Sequence, residues 1–130
     1  MADAGRLVLI ADDDLGVRDA LGFALRLEGF DVHAHRGGAE LLADCDLPRA
    51  ACVVLDDHMP LMDGFELLRL LRAGNSALPA IMLTNNATDG VRARAGEAGV
   101  QLLLEKPLLD TALVDSVLRL VEARRPQIGA

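Results

Sequence analysis

Short apolar runs separated by longer, helix-like segments restrict the fold of this 130-residue chain more than any other feature of its sequence. The continuous runs lie at residues 7–11, 51–55, 80–83 and 102–104. Unbroken runs of this length are typical of strands that are buried on both faces, as in a parallel sheet. Near Val32 and Ala34, apolar and polar residues alternate instead, which indicates a half-exposed edge strand.

Helix-like segments fill the intervals between these runs. Apolar residues recur with the period of a helix within residues 17–25, 64–71 and 113–121, and a weaker helical segment covers 88–98. Strands that alternate with helices in this way form a parallel sheet with helices on both faces. The sequence therefore predicts an α/β fold of five β–α units.

Acidic residues follow two of the predicted strands. Asp12, Asp13 and Asp14 come directly after the first run, and Asp56 and Asp57 come directly after the third. Ligands of open α/β sheets bind beyond the carboxyl ends of the strands, so we expect these carboxylates to meet at one edge. Carboxylates placed together repel each other, and a divalent cation such as Mg²⁺ relieves that repulsion.

A hydroxyl and an ammonium group belong to the same predicted edge. Thr84 follows the fourth strand and Lys106 follows the fifth. Beside a metal ion they could hold the oxygens of a phosphoryl group while a carboxylate acts as the nucleophile. Each residue also has an ordinary explanation, since Asp14 fits a helix N-cap, Thr84 a turn and Lys106 the surface. Their occurrence at the ends of different strands favours the functional interpretation.

Four segments carry a resemblance to a known family. They are residues 7–14 (LVLIADDD), 53–64 (VVLDDHMPLMDG), 81–87 (IMLTNNA) and 98–107 (AGVQLLLEKP). In these segments and their spacing, the chain resembles the receiver domain of two-component response regulators and is similar to the chemotaxis response regulator. The resemblance implies a doubly wound, flavodoxin-like (βα)5 fold with five parallel strands in the order 2-1-3-4-5. It also implies a single receiver domain over residues 1–130, with a core at about 6–124 and a tail or truncated linker at 125–130.

The resemblance assigns a phosphoacceptor role to Asp56, which would receive a phosphoryl group from a sensor histidine kinase, a phosphotransfer protein or a small acyl phosphate. Asp13 and Asp56 would bind Mg²⁺ directly, together with the main-chain carbonyl of His58, while Asp12 would act through water. Phosphorylation would switch protein–protein interactions. Such a protein is not an enzyme in the usual sense, because it catalyses only its own phosphorylation and dephosphorylation.

The resemblance also implies that Thr84 and Lys106 each bind a phosphoryl oxygen and that the Lys106–Pro107 peptide bond is cis. The chain departs from the family pattern at Leu103, where Phe or Tyr is usual, and at Asn85, where a small residue is common. We expect Leu103 to alter the usual aromatic readout and Asn85 to narrow the access of phosphoryl donors. The family's face of helix four, strand five and helix five would provide a homodimer surface.

Charge and hydropathy restrict the partners and the location. The net charge is −7 and the isoelectric point is about 4.8, so we expect no direct nucleic-acid binding by this segment. No apolar run approaches the length needed to cross a bilayer, and the N-terminus does not resemble a signal peptide. We therefore expect a cytoplasmic domain without membrane contact.

Alternatives from three other classes stay open at this point. Leu103 and Asn85 are compatible with a receiver-like interaction module that works without phosphorylation, but the intact set of acids, threonine and lysine argues against it. A haloacid-dehalogenase-type phosphatase would explain the Asp12 to Asp14 spacing, but it leaves Asp56 without a role and the chain has no room for a cap domain. A flavodoxin-like flavin binder would need a phosphate-cradling loop and a stacking aromatic, which the sequence lacks.

Two further pairs of residues, each with at least one histidine, complete the candidate functional residues. His58 and Asn86 flank the predicted site, so we hypothesise that they tune the lifetime of the phosphoryl group. His33 and His35 form a His-x-His pair on the predicted edge strand. No third ligand is evident in the sequence, so we do not expect this pair to bind a metal ion.

Overall fold

The computed structural model describes residues 6–75, 77–108 and 111–124. Its strands are β1 (Leu7–Ala11), β2 (Asp31–His35), β3 (Cys52–Asp56), β4 (Ala80–Thr84) and β5 (Leu102–Glu105). Its α-helices are α1 (Leu15–Leu27), α2 (Gly38–Leu42), α3 (Gly64–Gly74), α4 (Asp89–Ala98) and α5 (Ala112–Arg124), and a 3-10 turn covers Leu47–Arg49. All strand pairs are parallel, in the order β2-β1-β3-β4-β5. The predicted doubly wound fold and its strand order are therefore confirmed.

The core lies on both faces of the sheet, because consecutive residues of a strand point to opposite faces. All five residues of β1, of β3 and of β4 are buried, as their unbroken apolar runs predict. In β1, Leu7 and Leu9 pack into the cluster on the side of α2, α3 and α4. Val8 and Ile10 pack into the cluster on the side of α1 and α5. The two edge strands, β2 and β5, are only partly buried.

Side-chain caps fix where three helices begin. Asp14 accepts a hydrogen bond from Val17 N at 3.1 Å at the start of α1, as the sequence predicts. Asp63 accepts from Glu66 N at 2.8 Å at the start of α3, and Thr88 caps α4 in the same way. These caps lie in the loops that follow β1, β3 and β4, so the three helices begin near the carboxyl edge of the sheet.

The start of α3 lies directly against the end of β3. A Cβ added to Gly64 would lie 2.3 Å from the main-chain oxygen of Asp56 and 2.8 Å from the sulfur of Met82. No side chain larger than a hydrogen atom fits there without displacement of the backbone. Gly64 therefore holds the amino end of α3 against the main chain of Asp56.

Arg72 links α3 to the other end of the sheet. Its guanidinium donates to the main-chain oxygens of Leu78 and, at 2.9 Å, of Gly99, and it lies 3.4 Å from Oε1 of Gln101. Gln101 Oε1 also accepts from Ala80 N at 2.7 Å. The amino ends of β4 and β5 are thereby tied to α3.

Within the described residues, none of the helices combines the length and the apolar character that a membrane span requires. The predicted tail or linker at residues 125–130 lies outside the described part of the chain.

Candidate functional site

The predicted polar residues meet at the carboxyl edge of the sheet. Asp12 directly follows β1, and Lys106 directly follows β5. Asp56 and Thr84 are the last residues of β3 and β4, so each of these strands extends one residue beyond its apolar run. Asp12, Asp56 and Thr84 are buried, whereas Asp13 is exposed. Parallel pairing brings these four chain segments to the same edge.

Lys106 is the cation at the centre of the site. Its Nζ lies 2.9 Å from Asp12 Oδ2 and 3.5 Å from Asp56 Oδ2. The peptide bond from Lys106 to Pro107 is cis, as the resemblance implies. Asp12 is oriented through its other oxygen, Oδ1, which accepts a hydrogen bond from Asp14 N at 2.9 Å. The ammonium group therefore bridges two buried carboxylates.

Burial controls the acidity of the carboxylate on Asp56. Removal from water, and then repulsion by the charge of Asp12, raise the pKa of Asp56 to about 6, although Lys106 and the N–H of His58 act in the opposite direction. Burial alone would lower the pKa of Lys106, but the hydrogen bond and charge of Asp12 and the charge of Asp56 outweigh it. The pKa of Lys106 therefore lies above its ordinary value, and the lysine is charged beside both carboxylates.

Three carboxylates lie close enough together to hold a metal ion. Oxygen atoms of Asp12, Asp13 and Asp56 all lie within 4.8 Å of one another. Asp12 Oδ2 is buried and, beyond its ion pair with Lys106, accepts no hydrogen bond. One ammonium cannot neutralise three carboxylates, so the group carries excess negative charge. These residues fit a hard metal ion with oxygen ligands, open to solvent on the side of Asp13.

An open cavity of about 530 Å³ lies over the site. Its polar lining includes Asp13, Asp56, His58, Asn85 and Lys106. A cavity of this size admits a small phosphorylated molecule or a side chain of a partner protein. Asn85 lies in the lining, where the sequence analysis expects it to narrow the access of donors.

Thr84 reaches the edge but does not line the cavity. Its hydroxyl donates to the main-chain oxygen of Asn86 at 3.3 Å and accepts from Asn86 N at 3.2 Å. The hydroxyl is therefore engaged in a local turn. His58 is exposed and lines the cavity, while Asn86 contributes main-chain atoms to the turn, so only His58 of the hypothesised pair faces the cavity.

Arg18 is a site residue that the sequence analysis missed. Its Nη1 donates at 2.8 Å to the main-chain oxygen of Asp12, and the same helix contributes Val17, Ala20 and Leu21 to the cavity. Arg18 lies one helical turn beyond the Asp14 cap. This spacing from the acidic run is the sequence feature that could have predicted its contact with the site. Helix α1 therefore forms one wall of the site.

Leu103 occupies the centre of β5, where the resemblance leads one to expect an aromatic ring. It pairs with Met82 of β4 and packs, half-buried, against the core cluster on the side of α3 and α4. It has no polar atom that could follow a movement of Thr84 by a hydrogen bond. Readout by an aromatic hydroxyl is therefore absent at this position.

Comparisons with known proteins agree with this geometry. The DctD protein of Pseudomonas aeruginosa, a C4-dicarboxylate transport transcriptional regulatory protein, is 40% identical over 125 residues, 95% of this chain and 27% of DctD. The sensor protein EvgS of Escherichia coli is 41% identical over 101 residues, 78% of this chain and 8% of EvgS. The chain thus spans much less than two thirds of either relative.

A solved structure and a family model extend the comparison. The receiver domain of the Francisella response regulator 1452 superimposes with a TM-score of 0.85 at 27% identity, over 92% of this chain and 99% of that one. The family model of the response regulator receiver domain matches residues 8–118. The chain therefore belongs to the receiver domains of two-component response regulators.

Proposed function

We propose that this receiver domain accepts a phosphoryl group on Asp56 with the help of Mg²⁺ and thereby switches its protein–protein interactions. The observation that carries the proposal is the position of the Asp56 carboxylate. It lies within 4.8 Å of Asp12 and Asp13, 3.5 Å from the Lys106 ammonium, and at the wall of an open cavity. A nucleophile, a cation and a metal-binding group of oxygens are thus combined in one place.

In the proposed reaction, a carboxylate oxygen of Asp56 attacks the phosphorus atom of a phosphohistidine or of acetyl phosphate. The bond from phosphorus to the donor's nitrogen or oxygen breaks, and the leaving group takes the bonding electron pair. The product is an aspartyl phosphate. Lys106 is already placed to pair with a phosphoryl oxygen, whereas Thr84 must first leave its contact with Asn86 to bind another.

Asp13, Asp56 and the main-chain carbonyl of His58 are the proposed direct ligands of Mg²⁺, and Asp12 would act through a bound water. When bound, Mg²⁺ would neutralise the carboxylates and the oxygens of the transferring group. Asp12 is preoriented by its hydrogen bond from Asp14 N. His58 N donates to Asp56 Oδ1 at an N···O distance of 3.4 Å, so the residue that would supply the carbonyl is adjacent to the acceptor.

We propose that the physiological donor is a sensor histidine kinase or a phosphotransfer protein and that this domain is located in the cytoplasm. Helix α1, which lines the cavity, also exposes Leu15, Phe23 and Leu27, each with more than half of its surface accessible. Exposed apolar side chains beside a reactive site are typical of a protein-docking surface. We propose that the donor protein contacts this helix while its phosphohistidine enters the cavity.

The face formed by α4, β5 and α5 is the proposed homodimer surface. Strand β5 is an edge strand with half-buried Leu102, Leu103 and Leu104. An edge strand of this kind is available for contacts with a second molecule. Comparison of the solution mass before and after phosphorylation tests this part of the proposal by itself.

The decisive experiment is intact mass spectrometry after incubation with acetyl phosphate and Mg²⁺. We expect one added phosphoryl group in the parent protein and none in Asp56→Asn or in the presence of EDTA. Asp57→Asn is the matched control, because it removes the neighbouring carboxylate and leaves the acceptor intact. Addition to the parent protein that persists in Asp56→Asn would assign the chemistry to another residue.

Absence of any addition, in a folded protein with acetyl phosphate and also with a phosphorylated donor protein, would favour the alternative of a phosphorylation-independent interaction module. Asn85→Ala then separates this alternative from steric exclusion of the donor. If the smaller side chain restores phosphorylation, Asn85 blocks access. If it does not, the acidic edge no longer serves phosphoryl transfer.

A further inference from the structure

A second cluster of metal-ligating side chains lies at the β2 edge of the sheet. Its residues differ from those of the acidic site, although the main-chain oxygen of His35 accepts a hydrogen bond from Asp12 N at 3.0 Å. His33 Nδ1 and His35 Nε2 each lie 2.8 Å from the same oxygen, Oδ2, of Asp44. Both histidines project from one face of β2, because they are two residues apart in a strand. Asp44 follows α2 by two residues, so the turn after that helix closes over the two imidazoles.

A second carboxylate completes the donor set. Ligand atoms of His33, Asp44 and Asp46 all lie within 4.8 Å of one another. The Asp44 side chain is nine-tenths buried, whereas His33 and Asp46 are more than a third exposed. An ion could therefore enter from solvent and meet a fixed carboxylate at the inner end of the site.

Hydrogen bonds to both oxygens fix the orientation of the Asp44 carboxylate. Its Oδ1 accepts a hydrogen bond from Asp46 N at 2.8 Å, and its Oδ2 is oriented by His35. Burial alone would raise the pKa of Asp44, but hydrogen bonds from Asp46 N, His35 and His33 lower it to about 2. Groups that orient a ligand in this way are a regular part of metal sites in proteins.

We propose that His33, Asp44 and Asp46 form a binding site for a divalent first-row transition metal ion, with His35 as the residue that positions Asp44. The ion would replace the proton that His33 Nδ1 shares with Asp44 Oδ2, and that proton would be released to solvent. A ring nitrogen and two carboxylates suit Zn²⁺ and its neighbours in the series, whereas Mg²⁺ prefers oxygen ligands alone. The guanidinium of Arg49 lies 3.3 Å from Asp46 Oδ1. It offsets the charge of one carboxylate, and the carboxylate of Asp44 stays available for the cation.

Zn²⁺ is the probe, added to the unphosphorylated protein in saturating Mg²⁺ so that the acidic site is occupied. A Cys45→Ser background removes the exposed thiol beside the cluster, which would otherwise compete. Heteronuclear NMR of the imidazole rings locates the ion, because the third histidine, His58, lines the acidic site and serves as the internal reference. We expect Zn²⁺ to shift the ring signals of His33 and His35 and to leave those of His58 unchanged.

Calorimetric titration of variants separates the roles of the two histidines. We expect one Zn²⁺ per chain, with affinity reduced more than about tenfold in His33→Gln, which keeps a polar side chain on the half-exposed strand. We expect His35→Ala to weaken binding by about tenfold and His35→Gln, which can still donate to Asp44, to restore most of it. Circular dichroism of each variant verifies the fold.

Three results would overturn the proposal. Shifts confined to His58 would place Zn²⁺ at the acidic site alone. Binding that is equally strong in the parent protein and in His33→Gln, or no binding at all, would reduce the cluster to a hydrogen-bonded connection between β2 and the turn after α2. None of these results depends on whether Asp56 is phosphorylated, so the proposal stands or falls independently of phosphoryl transfer.

Discussion

Replacement of Asp56 by asparagine should stabilise the metal-free domain at neutral pH. The carboxylate is buried and has a pKa of about 6 in place of its ordinary value of 3.8. Because the folded protein binds this proton more tightly than the unfolded chain, stability is lost as the pH rises from the lower to the higher value. Asparagine carries no charge to bury and escapes this loss.

The size of the effect follows from the shift in pKa. A change from 3.8 to about 6, at about 1.4 kcal/mol per pH unit, gives an upper limit of about 3 kcal/mol in the free energy of unfolding. The attraction of Lys106 is already contained in this pKa, so its loss in the variant requires no separate correction. The gain should be complete above about pH 6 and should disappear below about pH 4.

Urea unfolding in EDTA, followed by far-ultraviolet circular dichroism, measures this difference directly. The chain has no Trp or Tyr, so fluorescence is unsuitable. Asp19→Asn, on the exposed side of α1, makes the same change in net charge away from the cluster and should have little effect. If Asp56→Asn is no more stable than the parent protein at neutral pH, or if its advantage persists in acid, the reasoning from buried charge is wrong.

Three further outcomes are expected. Gly64→Ala should lower the free energy of unfolding by roughly 1–3 kcal/mol, because the new Cβ collides with the main chain of Asp56. The control Gly96→Ala has open space around the new Cβ and should stabilise α4 by up to about 1 kcal/mol. A Gly64→Ala variant as stable as the parent protein would contradict the close approach. Arg72→Ala should lower the unfolding free energy by about 2 kcal/mol in urea titrations, since it leaves main-chain oxygens without their donor, and a change near zero would show that water replaces the guanidinium. Mg²⁺ should raise the thermal midpoint by mass action, and Asp13→Asn should reduce that rise; an equal rise in both proteins would place the ion elsewhere.

The strands and their chemistry could be predicted because both follow from local sequence. Unbroken apolar runs mark β1, β3 and β4, and the polar residue at the end of each run marks the carboxyl edge. Helix α2 was not located individually, since its five residues are too short to display a helical period and its N-cap is glycine. Strong local signals thus revealed most of the fold and the members of the acidic site.

Contacts between distant residues escaped prediction. Asp44 lies 11 residues from His33 in the chain, and only the turn after α2 brings its carboxylate to the imidazoles. The direction of the Thr84 hydroxyl depends likewise on the turn that follows β4, which residue spacing does not determine. Sequence pattern identifies which residues reach an edge, whereas side-chain partners there are decided by the loops.

The turn at Asn86 has a consequence for how the domain is distributed between conformations. To bind a phosphoryl oxygen, Thr84 must exchange two hydrogen bonds, each worth about 1 kcal/mol net, so the molecules with a free hydroxyl are a minority by roughly thirtyfold. The proposed contact with the phosphoryl group is weakened by the same factor. Because both bonds use main-chain atoms of Asn86, most side-chain substitutions at this residue leave the resting population unchanged. Proline, which removes the N–H, would raise the fraction of molecules that are ready before any phosphate arrives.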